Sequence, residues 1–310
     1  MGPSVAAVEA VLAGRDGVGA ADCAAGLVWW QGGGMTRPFR FGVVAPVVPD
    51  LGTWRDRVRR MAGAGYSTLL MPDVPGWQPS PAPALATAAA LAPDLRVGTW
   101  VYASPFRTGS MLAWEAHSMT ELTEGRFELG IGTGRPDIDD DVRKMGMPVV
   151  PPGRRLAQVS EAVRTLRELE GSGRRTPLAM AVRGPRAQAL AAEVADIVTF
   201  AVTQDVTRAE VVNLARGFPN QNVELACHVP VVGDTPEPFM GGTDPAPLRL
   251  MDSMAILPQD PAAAIEEVLR RREEAGFTYF VVGGESAEAF APVVAELAGT
   301  VAGDGRQPSG

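Results

Sequence analysis

Between residues 37 and 300 the chain alternates short apolar runs with longer stretches whose apolar positions recur every three or four residues. A compact apolar run bounded by Gly, Pro or Asp predicts a buried strand; the longer period predicts an amphipathic helix. Eight runs qualify, at 39–47, 67–73, 96–103, 126–134, 176–182, 196–202, 223–232 and 277–284. Helical signals fill the intervals. Leu156, Val159, Val163 and Leu166 repeat along one face, Asp260 and Pro261 open a helix that Gly276 closes, and Thr53 with Asp56 predicts a capping box ahead of Trp54, Val58 and Met61. Eight strand–helix units in about 265 residues predict an α/β fold, a closed (β/α)8 TIM barrel, with a doubly wound open sheet as the alternative.

The flanks read differently. Residues 1–34 are rich in Ala and Gly and end in QGGG before Met35, so they are expected to be a tail, with Met35 a candidate start. Residues 35–300 then form one catalytic domain, and 301–310 a second polar tail. The 310 residues, 46% apolar, suffice for a large core. A net charge of −8 opposes nucleic acid and anionic membranes, so the expected partner is a small molecule held at a locally basic site. The two cysteines, Cys23 and Cys227, support neither a disulfide framework nor a thiolate metal cluster, which fits a cytoplasmic setting. No run approaches the roughly 18 apolar residues of a membrane span.

In a barrel of this kind chemistry gathers at the C-terminal strand ends. Asp50, Asp73, Arg107, Arg135, Asp137, Arg183, Gln204, Asp205 and Glu285 fall there. The arginines suit a phosphate or carboxylate. After the fifth run, Gly184 and Pro185 open a helix beside Arg183 and Arg186, a plausible phosphate cradle and equally an ordinary strand-to-helix corner. The acidic run 137–141 reads as a solvated loop, not a metal site. In the fourth run Gly130, Gly132 and Gly134 share one face, opposite Phe127, Leu129, Ile131 and Thr133. Such bare backbone marks the close approach of a ligand, here a flat ring, or of another backbone.

At these residues the chain resembles a family. EGRFELGIGTG (124–134) is similar to the GRF-x-LG-x-G-x-G signature of the bacterial luciferase-like oxidoreductases, and the likeness continues through RVGTWVY, LAWEAHSMTELTEGR, PPGRRLAQVSEAVRTL, TPLAMAVRGPRAQALAAEVAD and EEAGFTYFVVGG. The resemblance implies a TIM barrel that binds coenzyme F420 or, alternatively, FMN, with F420 favoured by the PPG-R and Gly-Pro corners. It implies a bulge at Thr99, Trp100 and Val101 behind the ring, with a cis peptide at Trp100–Val101. Gly132 and Thr133 are implied beside the ring, Arg183, Gly184 and Arg186 at the phosphate, and Asp73 at the acidic end of the second strand. It also suggests a homodimer.

There are departures. The histidine usual after the second-strand carboxylate is Val74 here, and the His-Pro opening the third helix is Thr108 and Gly109. Of the two histidines, His117 reads as a packing or surface residue, and His228, on one face of the seventh run, is the better proton-transfer candidate, beside Asp73. Arg107 and Arg135 are candidates for substrate, and Trp77, Phe106 and Met145 for a dry pocket lining. The expected function is hydride transfer between F420 or a flavin and a small organic substrate. The alternatives are an FMNH2- and O2-dependent monooxygenase and a non-catalytic flavin-binding protein.

Overall fold

A computed structural model describes residues 37–45, 50–203, 206–238 and 244–301. The expectations for the two tails, and for Gln204 and Asp205, lie outside these residues. The strands are β1 (Arg40–Val44), β2 (Thr68–Met71), β3 (Arg96–Thr99), β4 (Tyr102–Ala103), β5 (Phe127–Gly132), β6 (Leu178–Val182), β7 (Ile197–Phe200), β8 (Glu224–Val229) and β12 (Phe277–Gly283). They pair in the order β3-β2-β1-β12-β8-β7-β6-β5-β4, and β3 also pairs with β5, which closes the ring. All these ladders are parallel. The closed TIM barrel expected from the alternation is the observed fold, and the open sheet is excluded.

Helices α1 (Leu51–Gly63), α2 (Pro81–Leu91), α3 (Gly109–Leu122), α4 (Ile138–Lys144), α5 (Pro152–Glu170), α6 (Pro185–Val194), α7 (Arg208–Arg216), α8 (Pro245–Leu250), α9 (Pro261–Ala275) and α10 (Ala287–Leu297) surround it. The main core lies between strands and helices, where Phe41, Leu69, Phe127, Val159, Val268 and Phe290 are among the fully buried side chains. Among the described residues no helix is long and apolar enough to cross a membrane.

Three sequence expectations need correction. The third run is two strands, because β3 ends at Thr99 and Trp100 and Val101 separate it from β4. The seventh run breaks at Pro230, which cannot donate to a ladder; the chain leaves the barrel there and forms a small second sheet of β9 (Val231–Val232), β10 (Thr235–Pro236) and β11 (Ile256–Leu257). And α1 is capped by Asp50 rather than Thr53: Asp50 Oδ1 accepts from the Thr53 N–H at 2.9 Å, so this strand-exit carboxylate is a helix cap. The α9 limits agree with the signals at Asp260, Pro261 and Gly276, the last with φ of 79°.

Candidate functional site at the barrel mouth

The alternating glycines are explained by a neighbouring strand. Thr99 Oγ1 donates to Gly130 O at 2.7 Å and accepts from Gly130 N–H at 2.9 Å, locking the end of β3 onto β5. A Cβ at Gly130 would overlap the Thr99 carbonyl oxygen. No flat ring can lie against Gly130, because backbone already fills that space. One step nearer the mouth, a Cβ at Gly132 would meet Val101 Cγ2 at 3.1 Å, so Val101 covers this glycine. Gly134 lies beyond the strand, with φ of 86°, in the turn toward α4. Thr133, between them, is half-buried. The Trp100–Val101 peptide is cis, as the resemblance implied.

Inside the barrel the Trp100 ring stands edge-on to Tyr279 and to His228, with centroids 6.1 and 6.0 Å apart. His228 Nε2 also lies 3.0 Å from Oε1 of Glu237, a carboxylate 1% exposed that sequence reasoning missed. Its surroundings, TPEP, carry no periodicity and no motif; the break at Pro230 was the one available signal that the chain turns back over the mouth. His228 also borders a cleft of about 240 Å3, lined by Thr199, Phe200, Val202, Val211 and Cys227 among others. The cleft exists because β8 pairs with β7 only as far as Thr199–Ala226 but follows β12 to Val282–Val229. A larger, shallower groove lies outside the barrel over Arg208, whose charge is neutralised by Asp252, Glu267 and Glu274; nothing at it reaches the mouth.

Two residues assigned separate roles from the sequence are one unit. Arg107 donates to both oxygens of buried Asp73, at 2.6 and 3.2 Å, and Asp73 Oδ2 also accepts from the Ala103 N–H at 3.1 Å. The guanidinium stacks 4.0 Å over the Tyr102 ring and lies 3.7 Å from Glu115. Burial alone would lower the proton affinity of Arg107, but its bonds to Asp73 outweigh this and hold it above the ordinary value. Arg107 therefore braces the end of β2 against β4 instead of standing open to a substrate.

Arg135 is likewise engaged, by Asp137 at 2.7 Å and by Asp141. The acidic run expected as a loop forms α4, pinned by Arg155 to Asp139 and by Arg143 to Asp140. The expected pocket lining also comes apart: Trp77 and Met145 are exposed, while Phe106 is buried against Ala103, Ile138 and Val142. His117 is half-buried on α3.

The corner after β6 keeps its cations unengaged. Arg183 and Arg186 are exposed, and neither guanidinium has a hydrogen bond or ion pair among the described residues. Gly184 is the residue before α6, whose Pro185 occupies the first helical turn, and a Cβ on Gly184 would meet nothing within 4 Å. The other glycine corner, at Gly283 and Gly284, is closed, by the Glu237 side chain and by the Val44 carbonyl at 3.0 Å.

The fold and this mouth define a (β/α)8 barrel with unengaged cations at its C-terminal strand ends. Residues 33–239 match the luciferase-like monooxygenase family, so the chain belongs to that family. A 124-residue stretch is 32% identical to 4-hydroxyprotoasukamycin monooxygenase of Streptomyces nodosus subsp. asukaensis, covering 38% of this chain and 33% of that one; the match thus spans about a third of the relative's length. Among solved structures, coenzyme F420-dependent tetrahydromethanopterin reductase from Methanopyrus kandleri superposes with a TM-score of 0.64 at 14% identity, over 84% of this chain and 99% of the other. The oxygenating constituent of 3,6-diketocamphane monooxygenase from Pseudomonas putida, in complex with FMN, gives 0.62 at 13% identity, over 86% and 99%.

Proposed function

We propose that the protein is an oxidoreductase that binds coenzyme F420, or alternatively FMN, at the barrel mouth and acts on a small organic substrate. The observation carrying this reading is a division of labour at the mouth: an open cationic corner after β6, and a histidine beside a partly enclosed cleft after β8. The residues present fit such a cofactor. Gly184 leaves the first turn of α6 open to an anion, and Arg183 and Arg186 offer unengaged donors to its phosphate. Val101, over Gly132, gives the ring an apolar wall, which the Thr99–Gly130 bonds hold in register. When bound, the reduced cofactor supplies the hydride equivalent.

The protein's part is positioning and proton handling. The apolar portion of the substrate enters the cleft lined by Phe200, Val202 and Val211, where water is displaced, and its reacting oxygen lies toward His228. Asp73 and Arg107 keep the rim between β2 and β4 fixed. A second reading, oxygenation by reduced FMN and O2, is favoured by the similarity to the monooxygenase from Streptomyces nodosus. The proposal includes a homodimer, for which Met111, Trp114 and Leu122 on α3 offer exposed apolar area; a wild-type monomer in sedimentation would contradict it.

Fluorescence titration with F420 and with FMN tests the cofactor. Consumption of reduced F420 with a carbonyl and enone panel, without oxygen, is the expected result. Oxygen-dependent consumption of FMNH2 supports the second reading. Tight binding with no turnover identifies a non-catalytic flavin-binding protein, and no binding of either cofactor refutes the proposal.

A further inference from the structure

One side chain closes the bore of the barrel. Trp100 follows β3, and its ring reaches His228 on β8, a strand four places from β3 in either direction around the ring. The indole therefore crosses the full bore. It is 8% exposed and belongs to one apolar cluster with Leu70, Ile197 and Tyr279. Ala179 on β6 and Ala226 on β8 join the same cluster and are too short to fill the centre themselves. Toward the N-terminal end the Tyr279 ring stands edge-on to the indole, its hydroxyl occupies the space over Gly42, and the Arg40 guanidinium lies on its face. A molecule entering from the mouth thus meets Trp100 as a floor.

The remaining space runs sideways. The cleft beside His228 is lined both by residues of the lumen, Thr199 and Ala226, and by residues of the layer outside the strands, Val211, Met254 and Phe277, so it passes through the wall where β7 and β8 part. Among the described residues no Asp, Glu, Lys or Arg lines it, and burial raises the Cys227 thiol, which keeps that wall neutral. An apolar cavity of about 150 Å3 holds benzene, so this cleft of about 240 Å3 holds about six to ten carbons. We propose that Trp100 is a specificity-determining residue: it closes the bore and diverts the apolar group of the substrate sideways into the cleft between β7 and β8, with the carbonyl left at the entrance beside His228. This rests on the reading of the mouth as a substrate site. The substrate class is a ketone or aldehyde that carries one compact apolar group of about six to ten carbons.

Calorimetric titration with a series of methyl ketones of increasing chain length, first without cofactor, tests this. Wild-type affinity should rise about three- to fourfold for each added methylene until the alkyl group reaches about six to ten carbons, and then stop rising. Val211→Phe fills the far end of the cleft from α7 and should lower that limit by about two carbons or more. Trp100→Leu keeps an apolar side chain but uncovers the bore, and should raise the limit by about two carbons or more. Should Trp100→Leu not fold, Trp100→Phe should raise it by about one carbon. Thermal unfolding identifies the folded variants, and with reduced F420 the dependence of kcat/KM on chain length should show the same limits. An unchanged limit in folded Trp100→Leu, or in Trp100→Phe where the leucine variant does not fold, overturns the role of Trp100. An unchanged limit in folded Val211→Phe overturns the sideways path. No binding of any ketone by the wild-type protein overturns both, while titration with F420 and FMN decides the cofactor site separately. Binding with both limits shifted but no turnover with reduced F420 or FMNH2 upholds the role of Trp100 and removes carbonyl reduction alone.

Discussion

The two ends of the barrel hold charge in opposite ways. At the N-terminal end, Arg40 donates to Glu224 at 2.8 and 3.0 Å and to Glu128 at 2.8 Å, while Arg96 donates to Glu128 at 2.6 Å. The Arg40 guanidinium lies 3.6 Å over the Tyr279 ring. Two cations and two anions form a neutral plug with its charges mutually bonded. Burial would raise the Glu128 carboxyl, but Arg40 and Arg96 outweigh it and hold Glu128 below the usual carboxylate range. At the C-terminal end Asp73–Arg107 is equally closed, yet Arg183 and Arg186 have no protein partner among the described residues, and Glu237 keeps one buried oxygen unpartnered. In the floor the charged groups satisfy one another; at the mouth, among the described residues, several charged groups stay unengaged.

The sharpest way to break this contrast is Glu128→Gln. It strands Arg96 beside a neutral amide, leaves Arg40 with Glu224 alone, and should destabilise the fold by about 3–5 kcal/mol, read from denaturant midpoints, with cofactor affinity in the surviving folded fraction unchanged. Because the folded carboxyl sits below its unfolded value, its contribution is complete above the ordinary range and is lost as the pH falls through the folded value. The gap between wild type and Glu128→Gln should therefore narrow as the pH drops below about 4; a gap constant from pH 7 to pH 3 would contradict the assignment.

Gly130→Ala tests the junction between the two ends. The added methyl must push the Thr99 carbonyl aside, at a cost of about 1–3 kcal/mol, and it should also weaken cofactor binding, because Val101 moves with Thr99. Asp73→Asn should be milder, about 1–2 kcal/mol, since the amide retains one acceptor for Arg107 or the Ala103 N–H. Thermal unfolding of each variant checks both values. Arg183→Ala should have the smallest effect on stability, within about 0.5 kcal/mol, and the opposite signature in binding: a loss of about 10- to 150-fold in F420 or FMN affinity, reduced at high salt. Wild-type affinity in folded Arg183→Ala would remove the anion corner from the proposal.

The sequence alone determined the barrel, because each strand and helix advertises itself through local periodicity that the closed ring then uses. The glycine alternation at 130–134 correctly marked a close approach, and the bulge at Thr99 to Val101 followed from the resemblance. What approaches Gly130 was not legible, since the choice between a ring and the Thr99 carbonyl depends on the register of two strands thirty residues apart in the chain. The same holds for Asp73 and Arg107, which read as independent charges until the ring brings β2 beside the end of β4. Glu237 is the extreme case. Its burial depends on a hairpin with no periodic pattern, on a glycine in a different strand and on a proline break, and only tertiary packing makes those three features one site. Local pattern fixes elements because the energies that form them are local; contacts between elements decide charge pairing and burial, and these the tertiary structure alone supplied.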